Sequence, residues 1–295
     1  MKKSVVYGGL LFSVIALSTS AIFVKLAAAP SAITAFYRLF FALLVIAPFV
    51  LLSRNRRAEL IALSRRQLLQ SLVSGVMLAV HYILWFESLR YTSVASSTVI
   101  VTLQPVFTML FAYLLSREKQ RPLAVIGCVV ALTGSFLIGW GDFQSGLLAL
   151  WGDVLALVAA AIISGYFFLG ERVRRQVSAV VYTMLGYTGS AVFLFIYAIV
   201  KGDSFTDYPA ETWLSFAGLA LVPTIMGQFI FNLLLKWLPA TTISMSILGE
   251  PIGTCILAYL IWQEQIGLQQ GIGMLVILGG LGLYFFSGNQ KKQSA

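Results

Sequence analysis

At 295 residues, 59% of them hydrophobic and 11% charged, the chain has more apolar surface than a water-soluble core of its size could hide. This excludes a soluble globular protein and identifies an integral membrane protein. The net charge of +9 would suit a nucleic-acid binder, but the basic residues fall between apolar runs, where anionic lipid headgroups account for them.

In chain order, ten apolar stretches are each about long enough to cross a ~30 Å hydrocarbon layer as a helix. They lie near 5–26, 31–52, 68–89, 94–115, 122–140, 148–170, 179–200, 213–235, 240–262 and 267–286. Lys2 and Lys3 give the first run the charged start of a signal peptide. Its length and the lack of a clear cleavage site make it a spanning helix instead. The expected fold class is therefore an all-α integral membrane protein.

With a cytoplasmic N-terminus, sixteen of the twenty Lys and Arg residues fall on the inner side, including Arg54, Arg56, Arg57, Arg65, Arg66, Arg117, Lys119, Arg121, Arg172, Arg174, Arg175, Lys291 and Lys292. Lys25, Arg90 and Lys201 fall outside, together with Glu87, Asp142, Asp153, Asp203, Asp207, Glu211 and Glu264. This positive-inside pattern predicts a multi-pass protein of the bacterial inner membrane with both termini cytoplasmic.

Residues 89–134 recur as 235–280 at a constant offset of 146 with no gap. Leu89, Pro105, Thr108, Glu118, Gly127 and Gly134 return as Leu235, Pro251, Thr254, Glu264, Gly273 and Gly280. The chain is thus a duplication, with repeats at 1–145 and 146–295 of five spans each. Five is odd, so the second repeat enters the membrane from the opposite face. The basic connection between spans two and three has as its counterpart the acidic one between spans seven and eight. Inverted repeats are a recurring plan of secondary transporters, because two alternative tilts open one site to either side.

The stretches LRYTSVASSTVIVTLQPVFTMLFAYLLSREK and LKWLPATTISMSILGEPIGTCILAYLIWQEQ resemble the EamA family of the drug/metabolite transporter superfamily. The resemblance extends over essentially the whole chain. It implies ten helices in two five-helix repeats and transport, commonly export, of small metabolites such as amino acids or related compounds. In such families the Leu-rich run ends in Gly-Glu, whereas here Arg117 precedes Glu118 and Gln263 precedes Glu264. The resemblance contributes to placing a central cavity among spans one, three, four, six, eight and nine.

Gln104-Pro105 in span four and Glu250-Pro251 in span nine interrupt matching helices near mid-membrane. Pro removes a backbone donor and releases the carbonyl four residues earlier, here Val101 and Ile247. Paired breaks point to a transport site, although a packing kink is the plainer explanation. Pro223 in span eight lacks a counterpart, since Met77 occupies the matching place in the other repeat, and carries less weight. Glu250 is the one acidic residue placed deep in a helix. It is a candidate for proton coupling or for a substrate ammonium group, against a hydrogen-bonded structural carboxyl. Arg38, about 10 Å into span two, either snorkels to the outer interface or binds a substrate carboxylate. With Glu250 it would complement a zwitterion.

His81 shares a helix face with Trp85, beside Tyr82, and is a second candidate for proton coupling. An inward face there would suit aromatic or cationic substrates. Ser18, Thr98, Thr102, Ser164, Tyr166, Gln228, Asn232 and Ser246 complete the polar candidates for the cavity, many of which could simply join helices. Ser18 and Ser164 correspond at the 146 offset. Tyr91, Trp140, Trp151, Trp213 and Trp237 read as interfacial anchors. Gly127, Gly134, Gly273 and Gly280 favour packing within the molecule over a dimer seam, so a monomer or weak homodimer is expected.

No cofactor or metal is expected: no phosphate-binding loop occurs, and Cys128 and Cys255 do not match between repeats. One histidine and few buried acids leave little for a membrane enzyme. The expected partners are a small-molecule substrate, the lipid bilayer and candidate coupling protons, with no nucleic acid.

Overall fold

The computed structural model describes residues 3–140, 146–263 and 265–289. Lys2, Asp142, Glu264, Lys291 and Lys292 of the charge pattern lie outside the described residues. Fifteen α-helices and one π-helical segment follow one another: α1 Lys3–Ser18, α2 Ser20–Leu26, α3 Ser31–Leu51, α4 Arg54–Ile61, α5 Arg65–Ser88, α6 Val94–Val101, α7 Gln104–Ser116, α8 Pro122–Gly139, α9 Leu147–Arg174, α10 Ala179–Lys201, α11 Ala210–Leu219, the π segment Ala220–Phe229, α12 Ile230–Leu234, α13 Ala240–Ile247, α14 Glu250–Trp262 and α15 Leu268–Asn289. They form ten stretches long and apolar enough to cross a membrane. Apolar side chains on their outer faces are left uncovered, Leu214 and Leu275 at 70% exposure each, as a lipid-facing surface requires.

The chain divides into two compact units, each drawing on both repeats. The first comprises Met1–Ile83 with Gly165–Ala240, and the second Leu84–Ser164 with Thr241–Ala295.

In the second unit α8 packs along α15 through glycines. A Cβ at Gly127 would lie 2.7 Å from the Gly280 carbonyl oxygen, and one at Gly134 would lie 2.6 Å from that of Gly273. Gly273 and Gly280 are the repeat equivalents of Gly127 and Gly134, so each glycine meets the partner's equivalent in reverse order. That reciprocal, antiparallel crossing is the contact pattern of a two-fold axis lying in the membrane plane. The ten spanning helices thus form two inverted five-helix repeats. Gly271, Gly279 and Gly282 have open space at their Cβ positions and take no part in this crossing.

The first unit is built around α3 and α10. At one end, Glu59 on α4 accepts a hydrogen bond from the Ser178 backbone N–H at 2.6 Å, and Gln67 donates to Gln176 at 2.8 Å. The connection between spans two and three therefore lies on the one between spans six and seven, so two of the basic segments share one end. The loop 202–209 is held at the other end. Tyr37 donates to the Phe205 carbonyl at 2.7 Å, and Phe36, Phe195, Phe205, Trp213 and Phe216 pack around the same point. Trp213, expected as an interfacial anchor, stands 4.8 Å from the Tyr37 ring within this cluster. Trp140, Trp151 and Trp237 are exposed.

Candidate functional site

The two expected interruptions are real breaks in register with each other. α6 ends at Val101 and α7 begins at Gln104; α13 ends at Ile247 and α14 begins at Glu250. Pro105 and Pro251 stand in the first turn of the second half-helix, where no intrahelical N–H bond is needed. The prolines therefore start new helices and do not kink continuous ones. Both second halves end on a left-handed residue, Arg117 at φ 55° and Gln263 at φ 57°. This is the place of the glycine in the Gly-Glu pattern.

The break also explains how a carboxyl is tolerated at position 250. Glu250 is the first residue of α14 and half-buried, so its charge faces the positive end of a helix dipole. Such placement contributes about 0.3–1 kcal/mol, up to about 2 when partly buried. Gln104, its equivalent, is buried with no hydrogen-bond partner for Oε1 among the described residues.

Several other candidates use their polar atoms within the fold. Ser18 donates to the Val14 carbonyl at 2.9 Å and Ser164 to that of Ala160 at 2.7 Å, the same bond in both repeats. Ser164 also reaches the Gln104 carbonyl at 2.9 Å, at the break itself. Thr102 bonds the Val99 carbonyl and the Ser135 hydroxyl, and Ser246 bonds the Ile243 carbonyl. Thr98 is half-buried in α6. Tyr166 donates to Asn232 Oδ1 at 2.7 Å, and Asn232 Nδ2 donates to Thr183 Oγ1 at 3.2 Å, a buried chain joining α9, α12 and α10. Gln228 is buried nearby in sequence, on the π segment.

His81, Tyr82, Trp85 and Phe86 form a buried run on α5, with the His81 and Tyr82 rings 5.2 Å apart. The largest surprise concerns Arg38. It is wholly buried and does not snorkel, contrary to one of the two expectations. Nε donates to Thr224 Oγ1 and Nη1 to Ser20 Oγ, both at 2.8 Å, and the guanidinium carbon stands 4.4 Å from the Tyr82 ring centroid. These partners hold the side chain at its own depth in the membrane, which removes the reason to reach for the interface. An arginine at mid-helix costs roughly 2.5–3.5 kcal/mol on insertion scales, so this arrangement must offset a real penalty.

Thr224 was not among the expected site residues, although Gln228 on the same segment was. Pro223 cannot donate to the Leu219 carbonyl, and the Thr224 hydroxyl takes that acceptor at 2.6 Å while the backbone widens into a π turn. The Thr224 lone pairs are then free to receive Arg38. The residue signal was present in Val222-Pro223-Thr224, but the missing repeat counterpart argued against weighting it.

Residues 5–140 and 150–286 match the EamA-like transporter family. The chain is 26% identical over 222 residues to the uncharacterized transporter YxxF of Bacillus subtilis (strain 168), covering 75% of this chain and 70% of that protein. It is 25% identical over 280 residues to an uncharacterized transporter of Archaeoglobus fulgidus, covering 92% and 93%. A crystal structure shares the fold at a TM-score of 0.80 and 18% identity, over 99% of this chain and 100% of that one.

Proposed function

We propose that this chain, which belongs to the EamA-like transporter family, is a secondary carrier that exports a small metabolite across the bacterial inner membrane by alternating access. The observation that carries the reading is the reciprocal Gly127–Gly280 and Gly134–Gly273 crossing, because inverted halves give a carrier two equivalent tilts about one site. The cargo class is amino acids or related compounds. Glu250 and His81 are the coupling candidates for protons, with both termini cytoplasmic and the protein a monomer or weak homodimer. A gradient-driven exchanger or an exporter of aromatic or cationic compounds is the second reading, supported by the buried His81, Tyr82, Trp85 and Phe86 run.

The test is counterflow in proteoliposomes. Internal unlabelled amino acids should drive saturable uptake of labelled ones, and an imposed pH gradient should change the rate in wild type but not in Glu250→Gln or His81→Ala. Flux that never saturates would overturn the carrier. Flux indifferent to pH would remove the protons.

A further inference from the structure

Two arginines are buried in the described residues of the first unit, and they are compensated differently. Arg174 Nε donates to the Asn232 carbonyl at 2.8 Å and Nη1 donates to that of Val177, so it lies on backbone acceptors near helix ends. Arg38 has two hydroxyls, an aromatic face and no carboxylate among the described residues. A guanidinium has five N–H donors. Two are used here, and buried Nη2 has no hydrogen-bond partner among the described residues.

We propose that Arg38 is the anchor for a substrate carboxylate, received as a two-pronged pair on the Nη1–Nη2 edge. This inference deepens the carrier reading and rests on it. The planar fork matches a carboxylate in geometry as well as charge. The Nε and Nη1 bonds fix the plane, and the Tyr82 ring supports one face, so the edge carrying the unpartnered Nη2 is pre-oriented. The cluster offers one positive charge, which a monocarboxylate neutralises; a phosphate dianion would leave a buried charge uncancelled. The segments that supply the two hydroxyls are both irregular: Ser20 begins α2 just after the Thr19 break from α1, and Thr224 lies in the π segment. Irregular backbone at membrane depth beside a buried polar group is the local form that transport sites take.

The experiment uses the full-length protein in liposomes with two probes, a pool of the twenty L-amino acids plus C3–C6 monocarboxylates and a matched pool of their carboxamides. Acids should drive counterflow and raise the melting temperature with at least about tenfold stronger apparent affinity than amides. Arg38→Lys and Arg38→Met should abolish that ratio. Where these variants do not fold, phenylglyoxal modification of wild-type Arg38, read by peptide mass, should be slowed by the acid pool and not by the amide pool. Counterflow of amides as good as that of acids would overturn the inference while leaving the carrier standing. Stabilisation by acids without counterflow would leave the anchor standing and overturn the carrier. No response to acids, a folded Arg38→Met that keeps the preference, or equal protection by both pools would also overturn the inference.

Discussion

Gly127 and Gly280 meet so closely across the α8–α15 crossing that a Cβ on either would come within 2.7 Å and 2.6 Å, respectively, of the other's carbonyl oxygen. The atoms in the way are backbone, which cannot step aside as a flexible side chain would. Gly280→Ala should therefore destabilise by about 1–3 kcal/mol, the usual cost of overpacking. Gly279→Ala, one residue away and facing open space, should stay within about 0.5 kcal/mol of wild type. Thermal release of the buried Cys128 thiol to a fluorescent maleimide measures both, and equal effects would show that the crossing is not tight.

Arg117 and Gln263 close equivalent half-helices in the left-handed region. A side chain there clashes with its own carbonyl at a cost of about 1–2 kcal/mol, partly offset by the smaller unfolded-state freedom of a non-glycine residue. Arg117→Gly and Gln263→Gly should each stabilise by a few tenths to about 1 kcal/mol in the same thermal assay. A loss in either would mean that the side chain contributes more than its backbone costs.

The spans were legible because apolar runs and the charges between them are written directly in composition, and the structure moves most ends by only a few residues. The largest extension is at span six, where α9 continues to Arg174. The crossing was legible from the seven-residue glycine spacing repeated at 146. The π segment was not, because widening a turn by one residue leaves no periodic trace in an apolar stretch. The environment of Arg38 was hidden for a related reason. Ser20, Thr224 and Tyr82 lie on three other spans, and each reads as ordinary alone, so depth could not separate snorkelling from burial.

The buried Tyr166–Asn232–Thr183 chain predicts unequal costs for its members. Asn232→Leu removes one acceptor of the Tyr166 hydroxyl and the donor to Thr183, stripping partners from two buried groups at a cost of about 1–3 kcal/mol. Tyr166→Phe takes the donor from buried Asn232 Oδ1 but leaves the Asn232–Thr183 bond in place, so it should cost less than Asn232→Leu. In the Asn232→Leu background Tyr166→Phe should cost less than it does alone. Strict additivity in the double-mutant cycle would deny the coupling.

Tyr208 lies in the loop beyond the spans, where it donates to the Ser204 carbonyl at 2.6 Å and packs on Phe216. Burial, and then the nearby Asp203 carboxylate, push its hydroxyl above the ordinary 10.0. The folded state thus holds this proton more tightly than the unfolded chain. The stabilisation is fully present below pH 10 and is lost as pH rises past 10 through the higher folded value. Melting temperature followed from pH 8 to about 11 should fall more steeply for wild type than for Tyr208→Phe, which cannot ionise. Because the same loop carries Phe205 onto Tyr37, the loss should appear as earlier proteolysis between Lys201 and Ala210 before the helices unfold. Parallel curves for the two proteins would show that Tyr208 does not govern the alkaline limb.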